Sequence, residues 1–414
     1  MVLKNVCFVL IFLILFSGCS FDDEYFKELE GVEDYDNLIK TMSGEDLVFL
    51  GESTHGTQEY YEIRSKISKR LIEEYDFDFI VVEGDWASLY ELNLYVKGKS
   101  SYGSAREILE GFDRWPEWMW SNEVIEDLAE WLKDYNEDLP VEERVGFYGM
   151  DVYGGENSLE IVEELTEYSY DCMVDFVDDF SLYSQYLAQG NPSCHREVEE
   201  IYESISDDEE LMRNLGERKY FYVKQNAFIV KNAERHHRGM VFDFLSSWNE
   251  RVYHMEDTLY NLLDYKGDKG ILWAHNTHVG DARFTSMREE GRVNIGELAR
   301  EEGKDVFILG FATSSGEVIA GSSWGSNENV MQIPPANENS YEYFFMNEGL
   351  DKSLIMFDDS NIPEELKEVN NNRAIGVVYN PYTEYPSNYV PTDITNRYDG
   401  LIFINQTTPL ESLS

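Results

Sequence analysis

The sequence predicts an α/β fold: a central mixed or parallel sheet flanked by helices, with a large helical block set into the middle of the chain. Three observations predict it. Four short apolar runs, Leu47-Val48-Phe49-Leu50, Phe79-Ile80-Val81-Val82, Val145-Gly146-Phe147-Tyr148 and Ile271-Leu272-Trp273-Ala274, have the continuous hydrophobicity of strands buried on both faces. Helical stretches join them, as parallel strands require. Residues 156–265 carry no convincing strand pattern.

From the N-terminus, Lys4 and the apolar run Cys7–Phe16 read as a targeting segment, too short for a comfortable membrane span. Phe16-Ser17-Gly18-Cys19 is similar to the lipobox of secreted lipoproteins, with Phe16 in place of the usual Leu. Residues 1–19 are then a lipoprotein-type signal peptide. Cys19 would anchor the chain, through lipid, to the extracellular face of the cell membrane. An uncleaved N-terminal anchor is the other reading. Residues 20–44 are acidic and read as a tether or a peripheral helix. Residues 45–414 show no internal linker and read as a single α/β catalytic domain, with its helical section at 156–265.

The chain has 414 residues and a formal net charge of −48. Removing residues 1–19 takes away Lys4 and no acid, so the balance becomes more acidic still. That charge argues against nucleic acid and anionic membrane surfaces as partners. With 43% hydrophobic residues the chain is not a disordered polyanion. A folded domain repelling itself this strongly fits salty surroundings, where screening is short. The sequence therefore predicts a halophilic protein.

The first strand runs into Gly51-Glu52-Ser53-Thr54-His55-Gly56. The helix after it shows Tyr60, Ile63, Ile67 and Leu71 at helical spacing, with Arg64 on the same face. A buried arginine needs a partner. Glu52 and Glu83 are the nearest candidates, and pairing across to Glu83 would keep that carboxylate ionised. The alternative is an arginine that snorkels past the helix edge. The second strand runs into Glu83-Gly84-Asp85, the third into Gly149-Met150-Asp151, the fourth into His275-Asn276-Thr277-His278. Between the second and third lies Arg114-Trp115-Pro116-Glu117-Trp118-Met119-Trp120, readable as an aromatic wall for a large apolar substrate or as core packing. Long helices are expected through Tyr220–Arg238 and Ser246–Leu263, and further strands at 270–275, 305–311, 354–357, 373–379 and 400–404. Cys172 and Cys194 read as a disulfide in an extracellular setting, or as two unrelated thiols. Closing a loop of that size is worth about 3 kcal/mol in the chain-entropy model.

Ligands of open α/β sheets bind beyond the carboxyl ends of the strands. These acids and three histidines should therefore converge on one crevice. His55 precedes a helix N-terminus, whose partial positive charge would keep the ring neutral, as a general base requires. Glu52 could orient the ring or the water, and His275 and His278 could donate to a developing oxyanion. No Gly-x-Ser-x-Gly elbow or phosphate-binding loop is present. A zinc or manganese ion held by His55, Glu52, Glu83 and the two later histidines is the rival arrangement, although His-x-x-His at a strand end is not the helical zincin motif. His195, His236, His237 and His254 lack such contexts, and the run Glu234–Arg238 reads as a solvated helix face.

At these residues the chain resembles the erythromycin esterase family. The motifs are Gly51–Gly56 with Arg64, Val82–Asp85, Trp118-Met119-Trp120, Gly149-Met150-Asp151, Ser247-Trp248-Asn249, and Trp273–His278 with Gly280-Asp281-Ala282-Arg283. The resemblance implies an α/β core that hydrolyses a cyclic ester with activated water and without a metal or other cofactor. It implies His55 as base, surrounded by Glu52, Arg64, Glu83, His275 and His278. It also implies a small-molecule substrate contacted by Trp118, Asp151, Asn249, Arg251 and Asn276. Two positions depart from the family pattern. Val252 stands where Asp often follows the arginine, and Ser121 where Arg is common before Asn122. Both departures are expected on the substrate side and leave the catalytic set intact. Family members linked to surface polysaccharide, and a distant relationship to haem-binding surface lipoproteins, leave two further readings: a metal-dependent hydrolase of polysaccharide or peptide, and a ligand-binding protein.

Overall fold

The computed structural model describes residues 25–357 and 362–413. The expected signal segment, with Cys19, lies outside them. Eleven strands are present among the described residues: β1 (Phe26–Glu28), β2 (Leu47–Leu50), β3 (Phe79–Asp85), β4 (Gly146–Asp151), β5 (Gly270–Trp273), β6 (Val306–Gly321), β7 (Glu328–Ile333), β8 (Lys352–Met356), β9 (Asn370–Arg373), β10 (Tyr389–Thr392) and β11 (Gly400–Thr407). Nine of them form one mixed sheet in the order β1-β8-β11-β6-β2-β5-β3-β4, with β7 added to β6. From β11 to β4 every neighbour along that order is parallel; β8 runs antiparallel to β11, β1 to β8 and β7 to β6.

The apolar runs make strands because both of their faces are covered. Val48, Leu50, Ile80, Val82, Ile271 and Trp273 enter one hydrophobic core, and Leu47, Phe49, Phe79, Val81 and Leu272 enter the core on the other face. Helix α1 (Asp36–Met42), α2 (Gln58–Tyr75) and α3 (Trp86–Val96) follow the early strands. Residues 25–42 are thus no free tether. β1 pairs with β8 at the sheet edge, and Leu38, Ile39 and Met42 are buried.

Between β4 and β5 the chain is helical. Helices Glu217–Phe242 and Phe244–Lys266 lie against each other and carry a smaller core of their own around Tyr183, Val198 and Val230. Cys172 and Cys194 are joined there. His236 and His237, expected on a solvated face, are buried, because the helices packed around the second half of Glu217–Phe242 cover it on several sides. The strand expected at 373–379 is also displaced. β9 ends at Arg373 and pairs with β10, and the residues after it run beside the sheet through single bridges, Ile375 to Thr54 and Val378 to Gly321.

Candidate active site

The ends of β2, β3, β4 and β5 open on a cavity of about 380 Å³. The backbone of the first loop is pinned from three sides. Ile375 N donates to Ser53 O, and Ile319 N and Leu410 N both donate to Gly56 O. A Cβ at Gly56 would lie 2.0 Å from the Ile319 carbonyl oxygen, so only glycine lets this loop lie against β6. The loop after β5 is tied to the other two. Asn276 N donates to Glu52 O at 2.8 Å and His275 N to Glu83 Oε2 at 2.9 Å.

His55 Nδ1 lies 2.8 Å from Glu52 Oε1. A carboxylate only accepts, so Nδ1 carries the proton and Nε2 of the neutral ring is left with a free lone pair for the cavity. Burial pushes the imidazole pKa down, but the hydrogen bond and charge of Glu52, aided by Glu83, outweigh it and hold it above the ordinary value. This corrects the expectation from the helix N-terminus: a carboxylate in contact outweighs a partial charge at the start of α2. Beneath them Arg64, fully buried, places Nη2 2.6 Å from Glu52 Oε2 as an ion pair. Its guanidinium carbon lies 4.4 Å from the Tyr61 ring centroid and 4.8 Å from that of Trp273, so two aromatic faces cage the cation. Arg64 therefore meets Glu52 and not Glu83.

Glu83 is held by other groups. Arg251 Nη2 donates to Glu83 Oε1 at 2.8 Å, and His278 Nε2 lies 3.2 Å from the same oxygen. Arg251 also makes a two-pronged contact with Asp151, Nε to Oδ1 at 2.8 Å and Nη2 to Oδ2 at 2.6 Å. Burial raises both carboxyls, yet His278, Arg251 and His55 hold Glu83 well below the carboxylate range, and Arg251 holds Asp151 below it. Trp248 stacks on His278 at 4.8 Å and fixes its plane.

His275 has the opposite polarity to His55. Thr277 N donates to its Nδ1 at 3.3 Å, and a backbone N–H can only donate, so the neutral ring carries its proton on Nε2. Burial and the nearby His55 push its pKa well below the usual value, which keeps it neutral. The two ring centroids are 4.8 Å apart. His55 thus keeps a lone pair on Nε2, and the ring beside it carries an N–H at the same position.

The structure brings His55, Glu83, Asp151, Arg251, His275 and His278 to the cavity wall, with Glu52 and Arg64 directly behind His55. It places three of the residues expected to touch substrate elsewhere. Trp118 is fully buried in the core, and its neighbour Trp120 lines the cavity instead. Asn249 ties the helix Phe244–Lys266 to the loop ahead of β6 by bonding Gly291 O and Val293 N. Asn276 is buried and exchanges hydrogen bonds with the Phe311 backbone. Asp85, Arg114 and Tyr153 also line the cavity. Asp85 stood in a strand-end motif and Arg114 at the head of the aromatic run; Tyr153 sits in a loop with no sequence pattern to single it out.

Among the described residues, no group of three or more His, Cys, Asp or Glu side chains is arranged to hold a metal ion. The physical reason is that the carboxylates of Glu52, Glu83 and Asp151 already face arginines.

A family model described as erythromycin esterase matches residues 72–407. Erythromycin esterase type II of Escherichia coli is 21% identical over 432 residues, covering 94% of this chain and 94% of that protein. The putative hydrolase YbfO of Bacillus subtilis (strain 168) is 19% identical, covering 90% and 86%. A Bacillus cereus protein of known structure shares the fold with a TM-score of 0.78 at 20% identity, covering 94% of this chain and 97% of its own. A mutant of the erythromycin esterase EreC, in its open conformation, does so with a TM-score of 0.66 at 17% identity, covering 92% and 95%.

Proposed function

This chain belongs to the erythromycin esterase family, and from that premise we propose that it hydrolyses a small-molecule ester or lactone with water activated by His55. As a family member it is a hydrolase acting on ester bonds. The observation that carries the finer reading is the pairing of His55 Nδ1 with Glu52 at 2.8 Å beside the neutral ring of His275.

In this reading Nε2 of His55 takes a proton from water as the water oxygen attacks the carbonyl carbon. Glu52, held by Arg64, stabilises the imidazolium that forms. The Nε2–H of His275 donates to the oxyanion, and being neutral it does so without giving up its proton. Arg251 bridges Glu83 and Asp151, and so fixes the far wall on which His278 sits. Trp120, Tyr153 and Trp248 give the cavity apolar faces for a bulky acyl or alcohol part.

The test is turnover of alkyl esters and lactones by the mature protein, with and without chelator. His55→Ala should lose about 10²–10⁴-fold in kcat/KM, the range typical of a lost general base. The wild-type rate should fall as pH drops through the raised His55 pKa, because only the neutral ring accepts a proton. Near-normal turnover by His55→Ala removes the histidine from the mechanism. Full loss on chelation, restored by zinc or manganese, establishes the metal-dependent alternative.

A further inference from the structure

We propose that Asp85 is a second catalytic group of this site, the acid that protonates the leaving oxygen as the ester bond breaks. The inference rests on the hydrolytic reading above. Asp85 ends β3 two residues beyond Glu83, past an irregularity in the pairing with β4, and both residues line the cavity. It lines the same cavity as His55 and His275 and is buried. Its partners are few. Arg114 Nη1 donates to Oδ1 at 2.8 Å, and Ser88 Oγ lies 3.4 Å from Oδ2. Arg114 comes from a loop, is about a third exposed, and rests over the Tyr153 ring at 4.5 Å.

Three acids end β3 and β4, and their surroundings differ. Glu83 and Asp151 share Arg251, whose side chain is 16% exposed. Asp85 has only Arg114, about a third exposed, and two further acids, Asp151 and Asp178, act on it. Burial lifts its pKa most, Arg114 opposes, and Asp151 and Asp178 add to the lift, bringing it to about 6. Carboxyls pushed apart in this way divide acid from electrostatic roles.

The reaction balances. The water oxygen bonds to the carbonyl carbon, and one water proton passes to His55 Nε2. The bond from that carbon to the alkyl oxygen breaks, and the leaving oxygen takes the Asp85 proton. The products are one carboxylic acid and one alcohol. His55 then returns its proton to the Asp85 carboxylate through solvent. An alkoxide needs that proton; a nitrophenolate does not.

The experiment compares wild type and Asp85→Asn on two esters of one acid, an alkyl ester and a p-nitrophenyl ester. Asn fills the same space, and near-UV circular dichroism verifies the fold. The expected result is a drop of about 10²-fold on the alkyl ester, with the p-nitrophenyl ester changed only a few-fold. In wild type, which needs His55 neutral and Asp85 protonated, alkyl-ester hydrolysis should fall once pH rises above both pKa values, and this alkaline fall should vanish in Asp85→Asn. Arg114→Gln removes the group that lowers the Asp85 pKa, so it should raise the alkyl-ester rate along the alkaline fall. Equal losses on both esters, or no loss on either, overturn the proposal. If His55→Ala abolishes both activities while Asp85→Asn discriminates nothing, Asp85 alone is refuted. If His55→Ala leaves both intact, the hydrolytic reading itself has failed.

Discussion

At the sheet end, His55 is buried with its Nδ1 on a carboxylate, and its pKa is held above the ordinary value. In the helical block, His236 and His254 are buried just as deeply, and their pKa values are pushed down to about 4. The partners explain the difference. His254 Nδ1 faces the amide of Asn232, and its ring stacks on Phe228; His236 Nδ1 faces the backbone and hydroxyl of Ser247. Neither ring hydrogen-bonds a carboxylate. Burial alone turns a histidine into a neutral packing group. Burial against a carboxylate makes it a base that can hold a proton through a reaction cycle.

The sharpest way to break this comparison is to disturb the carboxylate without touching His55. Arg64 acts only through Glu52, so it is a positioning residue. Lysine keeps the charge but loses the planar fork and the flat face that fits between Tyr61 and Trp273. Arg64→Lys should lower kcat/KM by about 10²-fold, within the range attributed to general-base catalysis, with little change in expression. The pH at which activity falls on the acid side should move as well, because Glu52 no longer holds His55 in the same way. An unchanged pH profile would show that Glu52 does not need Arg64.

The second effect is on stability, and the two regions differ in sign. His236 and His254 are neutral in the folded chain and take protons when unfolded. The unfolded state binds more protons between about pH 4 and the ordinary value of 6.5, so folding is weakened there and recovers above 6.5. His55 is raised, so its contribution is full below 6.5 and is lost as pH rises through its folded value. Urea unfolding followed across this window should show stability rising with pH, and His254→Gln should flatten the rise. Hydrogen exchange should place the acid-induced opening in residues 155–266. A slope unaltered by His254→Gln would assign the acid sensitivity to the carboxylates of the sheet end.

The smallest expected effect concerns salt. At a net charge of −48 the chain repels itself, and dilution lengthens the screening distance from about 3 Å at 1 M to about 10 Å at 0.1 M. The central strands are covered on both faces, whereas the helical block is stacked on one side of them. The melting temperature should fall on dilution, with amide protection lost first in the block. Equal melting temperatures at about 0.1 M and about 2 M salt would remove the halophilic reading.

Much of this arrangement was legible before any coordinates. β2, β3, β4 and β5 stand out because a strand buried on both faces must be apolar throughout, and the polar residues that follow must lie at the sheet end. Both long helices of the block appear where they were expected, a few residues longer. β1, β7 and β10 were not legible. They are short or half-exposed edge strands, in which pairing with a neighbour replaces the hydrophobic pattern. Trp118 and Trp120 show the limit at the level of one side chain: two residues apart in one motif, they part between core and cavity.

The sequence by itself determined the fold class, the four strand ends, the family and the set of ionisable groups that meet there, because each of these follows from local pattern. Only the tertiary structure decided who pairs with whom. Arg64 went to Glu52, Arg251 reached Glu83 and Asp151 across 168 and 100 residues of chain, and Arg114 was left as the single cation on Asp85. Charge pairing depends on distances of a few ångströms and on the loss of water around each group. Both are set by packing between elements remote in sequence, and no spacing along the chain encodes them.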